Sequence, residues 1–174
     1  MITVVVPGSE NENCAKELCC ILEKFGGALF ASKDSVLDFS AAFPAFLVFN
    51  TDTVRSVTTR HRLLLLPGNT QSGKIAKDCR FDRIIADGLS KVRSDDRFLT
   101  VGTGRNNCIS IASADRDTLH ISVQEILHTL DGAEILPCEF SVQLHKVSAR
   151  TALYAFTVLL LAGKADTGKL QIQL

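Results

Sequence analysis

At 174 residues the chain is long enough for one domain with a sizeable core and short for two ordinary ones. Its 46% hydrophobic and 22% charged residues are a globular composition and exclude disorder throughout. Lys plus Arg and Asp plus Glu are 19 each, a zero balance that argues against a general nucleic-acid binder, which needs surplus cations to displace phosphate counterions.

In chain order, residues 2–6 form a β-branched apolar run of the kind buried on both faces of a sheet, and Pro7-Gly8-Ser9 breaks it. A helix fits residues 10–25, where Ala15, Leu18, Leu22 and Phe25 recur on one face; Ser9 is the expected N-cap and Gly26 the stop. Strands are expected at 27–31, 45–50, 62–66 and 83–86, the last two closed by Pro67-Gly68-Asn69 and Asp87-Gly88. After about Ser90 the pattern changes to short strands at 98–101, 108–112 and 119–123 between polar turns. Asp131-Gly132 is a hairpin signal, because glycine accepts a positive φ, and residues 139–144 alternate as a half-exposed strand does. Residues 149–162 form a helix apolar on nearly every side, expected to be buried; Gly163 stops it and 170–174 add an edge strand.

These elements predict an α/β, three-layer fold with a mainly parallel sheet, Rossmann-like or P-loop-like, and a small antiparallel β-ribbon in the C-terminal half. A single domain over 1–174 is expected, with a parallel part at 1–90, the ribbon at 91–145, and the buried helix and edge strand at 146–174. Met1 runs directly into a strand, so no signal peptide is expected, and the longest apolar run, 152–162, is about half a membrane span. The six cysteines (Cys14, Cys19, Cys20, Cys79, Cys108 and Cys138) contain no C-x-x-C pair, which points to buried reduced thiols and a cytoplasmic compartment. No metal site is expected.

Two turns invite a phosphate-binding reading. Gly68, Gly73 and Lys74 have the spacing of a G-x-x-x-x-G-K-[ST] loop after an apolar strand, in which backbone N–H groups cradle phosphates and the lysine reaches the β/γ oxygens. Ile75 replaces the magnesium-binding hydroxyl, and few residues remain for the helix that such a loop needs. The other turn is the first, Val4-Val5-Val6-Pro7-Gly8-Ser9-Glu10-Asn11-Glu12-Asn13, followed by a helix that ends Ile21-Leu22-Glu23-Lys24-Phe25-Gly26. Together with Arg83-Ile84-Ile85-Ala86-Asp87-Gly88, and with Phe140-Ser141-Val142-Gln143-Leu144 before the apolar run 152–163, it resembles the central domain of the Mur ligases, the ATP-dependent amino-acid-adding enzymes of peptidoglycan synthesis.

The resemblance implies a strand, a G-T-N-G-K-T-T type loop and a helix at this turn. Gly8 keeps the first glycine, but Asn11 stands at the second, Glu12 at the lysine and Asn13 at the magnesium-binding hydroxyl. A carboxylate in place of that lysine repels a polyphosphate, and loss of the glycine leaves the backbone less free to wrap one. Asn50-Thr51-Asp52 and Asn69 are candidates only for the family's later metal and substrate motifs, and its flanking N- and C-terminal domains are expected to be missing. The expected protein is thus a bacterial, non-catalytic Mur-ligase-like module without ATP or another cofactor, linked to the cell envelope, that binds a protein partner or a small ligand. Gly8, Ser9, Glu10, Asn11, Glu12 and Asn13 would line its cleft at the strand C-termini. Two alternatives stand beside it: a nucleotide-dependent small-molecule transferase using Gly68 to Lys74, and a structural protein that forms homo-oligomers through its apolar helix and edge strand.

Smaller signals have plain readings. Gly102-Thr103-Gly104 lies between expected strands with no helix to supply a dipole, so it reads as a turn. His120 and His128 could face each other across a site or simply occupy ribbon positions, and Asp115-Arg116-Asp117 reads as a solvated loop. No G-x-S-x-G turn marks a nucleophile.

Overall fold

A computed structural model of the chain describes residues 1–32, 44–51, 59–68, 80–88, 97–144 and 146–165, and the backbone alone of 171–173. Two compact units divide it, Met1–Ile84 and Ile85–Leu174.

In the first unit, β1 (Ile2–Pro7) is the strand the β-branched run predicts, with five of its six residues buried. It lies between β3 (Phe46–Thr51) and β4 (His61–Leu66), parallel to both, with Val4 opposite Val48 and Leu63, and β2 (Ala28–Ser32) continues the parallel sheet beside β3. Helix α1 (Glu12–Glu23) buries Ala15, Leu18, Cys19, Ile21 and Leu22, the face its periodicity predicts. It starts later than the sequence suggests. Ser9–Asn11 make a 3-10 turn, and the N-cap is Asn11 rather than Ser9, without a side-chain capping bond. The Asn11 side chain turns back along the chain, its amide donating to Pro7 O at 2.7 Å, and Gly8 leads into the turn at φ +95°. A second apolar cluster joins Val5, Leu64 and Phe81 with the half-buried Leu66 and Ile84, and Asp82 braces β4 through the Arg62 backbone N–H at 2.7 Å.

The division falls within β5 (Arg83–Asp87). In the second unit β5 is followed by β6 (Phe98–Gly102), β7 (Ile109–Ala114), β8 (Thr118–Val123), β11 (Cys138–Gln143) and β12 (Gln171–Gln173), hydrogen-bonded in the order β12-β11-β8-β7-β6-β5. β6 and β7 are parallel, as are β11 and β12, while β7, β8 and β11 form the expected antiparallel ribbon, with Phe140 opposite Ile121. The Asp131-Gly132 signal is a hairpin: Gly132 has φ +89°, and β9 (Leu127–His128) and β10 (Glu134–Ile135) pair across it as a separate two-stranded antiparallel sheet. The class is α/β with mainly parallel pairing, few helices and a small antiparallel element.

Helix α2 (Ala149–Leu161) matches its expected limits within a residue. Every residue from Thr151 to Leu161 is buried, as an all-round apolar helix requires. Its N-terminus and Thr157 are satisfied locally. Ser148 caps it by accepting from the Thr151 N–H at 3.0 Å, and Thr157 donates to Leu153 O at 2.8 Å. We expect Ser148→Ala to lower stability by about 1 kcal/mol, measurable by urea unfolding, and Ser148→Asp to be near neutral.

Candidate functional site

The first strand-to-helix turn is held by asparagines. Asn50, buried on β3, donates through Nδ2 to Val6 O and Gly8 O, both at 2.9 Å, and Asn11 donates to Pro7 O. The Gly8 N–H donates in turn to Thr51 O at 3.2 Å. Three successive carbonyls of the turn are thereby tied to side-chain amides, which fixes the path of the backbone. Of the candidate pair Asn50 and Thr51, both bind the loop itself; Asp52 lies outside the described residues.

Gly8 is there for a physical reason. At φ +95° a side chain is strained, and a Cβ would meet the Glu10 carboxyl carbon at 2.6 Å. Glu10, although solvent-exposed, folds its carboxylate back over Gly8. Glu12 opens α1 and pairs with Lys16 at 2.7 Å, one helical turn on and in solvent, a contact worth little in stability. Ser9 and Asn13 are exposed. Gly8 to Asn13, the residues of the expected cleft, run from the end of β1 through the 3-10 turn into α1, and Glu10 and Glu12 are carboxylates near the positive end of a helix. That is a favourable place for negative charge, and here the chain supplies it itself.

In the alternative loop, Gly68 follows β4 with φ +53°, a turn conformation. Gly73 and Lys74 lie outside the described residues, as do Asn69 and Cys79.

A polar cluster that the sequence did not reveal lies in the second unit, at the end of β5. The Asp87 side chain is only 8% exposed; its Oδ2 accepts from the Tyr154 hydroxyl at 2.5 Å and from Arg150 Nε at 2.9 Å. Tyr154 is the chain's single tyrosine, fully buried in α2, whereas the Arg150 side chain stands mostly in solvent. Gly102 allows the close approach of two neighbours: a Cβ there would meet Asn107 Nδ2 at 3.1 Å and Asp87 Oδ1 at 3.4 Å. Asn107 closes the following turn by donating to Gly104 O at 2.8 Å, so Gly102-Thr103-Gly104 is the turn it was expected to be.

No family profile matches the chain, and no curated protein sequence does. Among solved structures it resembles the MurF ligase of Thermotoga maritima, determined in complex with ADP, at a TM-score of 0.52 and 12% identity. The match covers 94% of this chain and 46% of the ligase, so the chain spans about half of that protein's length. The fold is Mur-ligase-like. The likeness in the order of elements that the sequence suggested is therefore one of architecture.

The structure keeps the two candidate histidines apart. His120 and His128 do not face each other: His120 meets Ser141 Oγ at 3.1 Å within the ribbon, and His128 sits opposite Glu134 in the separate hairpin. Asp115 is exposed and lies 3.7 Å from His120. Among the described residues no group of three or more His, Cys, Asp and Glu is placed to hold a metal ion, and no helix is long and apolar enough to cross a membrane.

The cysteines are less uniformly buried than expected. None of the five described ones is in a disulfide; Cys19 and Cys108 are buried, Cys14 and Cys138 partly so, and Cys20 is exposed, because it falls on the solvent side of α1. Burial, with smaller contributions from Cys20 and Glu23, pushes the Cys19 thiol up to about 11, and burial also raises Cys108 and Cys138. Less thiolate at neutral pH means slower alkylation. We expect iodoacetamide at pH 8 to label Cys20 well before Cys19 or Cys108, read by peptide mass spectrometry. Equal rates would contradict the burial of α1. A raised folded value also means that the contribution of Cys19 to stability is complete below about pH 9 and is lost as the pH climbs toward about 11.

Proposed function

We propose that this chain is a Mur-ligase-like module that has given up nucleotide binding at its first turn and works by binding a protein partner or small ligand, not by ATP-dependent ligation. The observation that carries the reading is the Glu10 carboxylate folded over Gly8. A phosphate loop works because an N–H-lined, positively biased cradle stays open to an anion. Here a carboxylate covers the glycine, Glu12 stands where the resembled loop has its lysine, and asparagine amides fix the turn through its carbonyls. Two unit charges about 4 Å apart repel by about 1 kcal/mol in water and about 4 kcal/mol near a protein surface, and a polyphosphate carries several. The likeness to an ADP-bound ligase supports common architecture, and a ligand cleft at the strand C-termini is the default for such sheets. Placement in the bacterial cytoplasm, and a tie to the cell envelope, belong to the same proposal.

Thermal denaturation with ATP, ADP or GTP, with and without magnesium, tests it. Ligand at about 100 times its dissociation constant stabilises a fold by about 2.7 kcal/mol, which for a chain of this size raises Tm by roughly 5–10 °C. We expect no shift with any nucleotide. A magnesium-dependent shift that Lys74→Ala abolishes would move the site to the Gly68 loop and make the transferase reading the better one. A shift that Lys74→Ala leaves intact but Gly8→Val removes would restore the first turn as a nucleotide site.

A further inference from the structure

The β9–β10 hairpin is presented like a small platform. Leu127 and Ile135, paired in register, point inward and are buried, and the Leu130 N–H donates to Leu161 O at the end of α2 at 2.8 Å, which anchors the hairpin to that buried helix. The alternation of a strand then turns the adjoining residues outward. Ile126 is 54% exposed and Leu136 61%, the two most exposed large apolar side chains among the described residues, and they flank the same register pair on opposite strands.

The charge along this stretch of chain is one-sided, although Lys164, exposed just past Gly163, follows the end of α2 to which the hairpin is anchored. Residues 118–144 contain four acids (Glu125, Asp131, Glu134 and Glu139) and no Lys or Arg, in a chain whose overall charge is zero. Asp131, Glu134 and Glu139 are exposed. An exposed apolar pair within an acidic stretch of chain disfavours nucleic acid and anionic membrane, both of which repel carboxylates. It suits a polypeptide that sets apolar side chains between basic ones, because apolar contact supplies affinity while opposite charge selects the partner and speeds its arrival. Rigid anchoring lowers the ordering cost of that encounter.

We propose that the outer face of this hairpin, centred on Ile126 and Leu136, is a docking surface for a segment of another protein in which Lys or Arg residues flank apolar ones. The proposal stands apart from the fate of the first turn and would survive nucleotide binding there.

The test uses the full chain and a fluorescein-labelled peptide of alternating Lys and Leu, with an alternating Glu and Leu peptide as control, read by anisotropy. We expect saturable binding of the Lys-Leu peptide only, weakened by salt. Ile126→Ser with Leu136→Ser should reduce affinity about tenfold or more, and Glu134→Lys with Glu139→Lys should do the same, while Tm stays within a degree or two because all four side chains are exposed. Equal binding by wild type and both double variants would overturn the proposal, as would no binding, or equal binding of the acidic peptide. Ile126-dependent co-sedimentation with phosphatidylcholine–phosphatidylserine vesicles, or Ile126-dependent dimerisation in sedimentation velocity, would also overturn it, in favour of a membrane or a second copy.

Discussion

Replacing Phe156 by alanine is expected to destabilise the second unit by about 3–5 kcal/mol, a fall of roughly 6–20 °C in Tm. Phe156 is fully buried in α2 and meets the buried Phe140 of β11 edge to face, with ring centroids 4.9 Å apart. Three losses coincide: the transfer free energy of the ring, the cavity left by neighbours that relax only in part, and the aromatic contact, worth about 0.5–1.5 kcal/mol beyond burial. Phe156→Leu keeps much of the volume and should cost well under half as much. Phe140→Ala combined with Phe156→Ala should cost less than the two separately, since the contact is counted once. The variants are compared by urea unfolding at 25 °C. A loss under about 1 kcal/mol for Phe156→Ala would mean that this face of α2 is not packed as described.

Much of this architecture could be read locally. β1, β3 and β4 are apolar runs that a buried parallel sheet requires, and α2 is too apolar on every side to be anything but covered. Asp131-Gly132 announced its hairpin because one residue there must take a positive φ. What escaped the sequence is what distance in the chain conceals. Ser9 looks like a cap for α1, and nothing near it says that Asn50, more than forty residues on, will clamp Gly8 O and fix the turn before the helix.

The candidate turn shows the same division. That Gly8 keeps the glycine and Glu12 replaces a lysine is plain in one dimension. That Glu10 turns back over the glycine is a matter of side-chain direction, which spacing does not encode. The outward apolar pair of the hairpin is an intermediate case: strand alternation puts Ile126 and Leu136 on the same side, but only the anchoring of Leu130 to α2 decides which side faces solvent.

Asp87 illustrates the limit and gives the second large effect. A carboxylate after an apolar strand reads as the opening of a turn, yet its partner Tyr154 lies 67 residues away in a mostly apolar helix. We expect Asp87→Ala to cost about 2–3 kcal/mol, because the buried tyrosine hydroxyl loses its acceptor and an orphaned group of this kind costs about 1–3 kcal/mol, with the lost packing added. Asp87→Asn retains an acceptor oxygen and should recover about half of that loss. Arg150→Ala should change little, since its side chain is two-thirds exposed. The deciding measurement is the double-mutant cycle of Asp87→Ala with Tyr154→Phe. With the hydroxyl gone, the missing carboxylate no longer strands a donor, so the double variant should be more stable than the sum of single losses predicts by about 1–2 kcal/mol. Strict additivity would show that the contact does not hold the end of β5 to α2, and that Asp87 is kept there for another purpose.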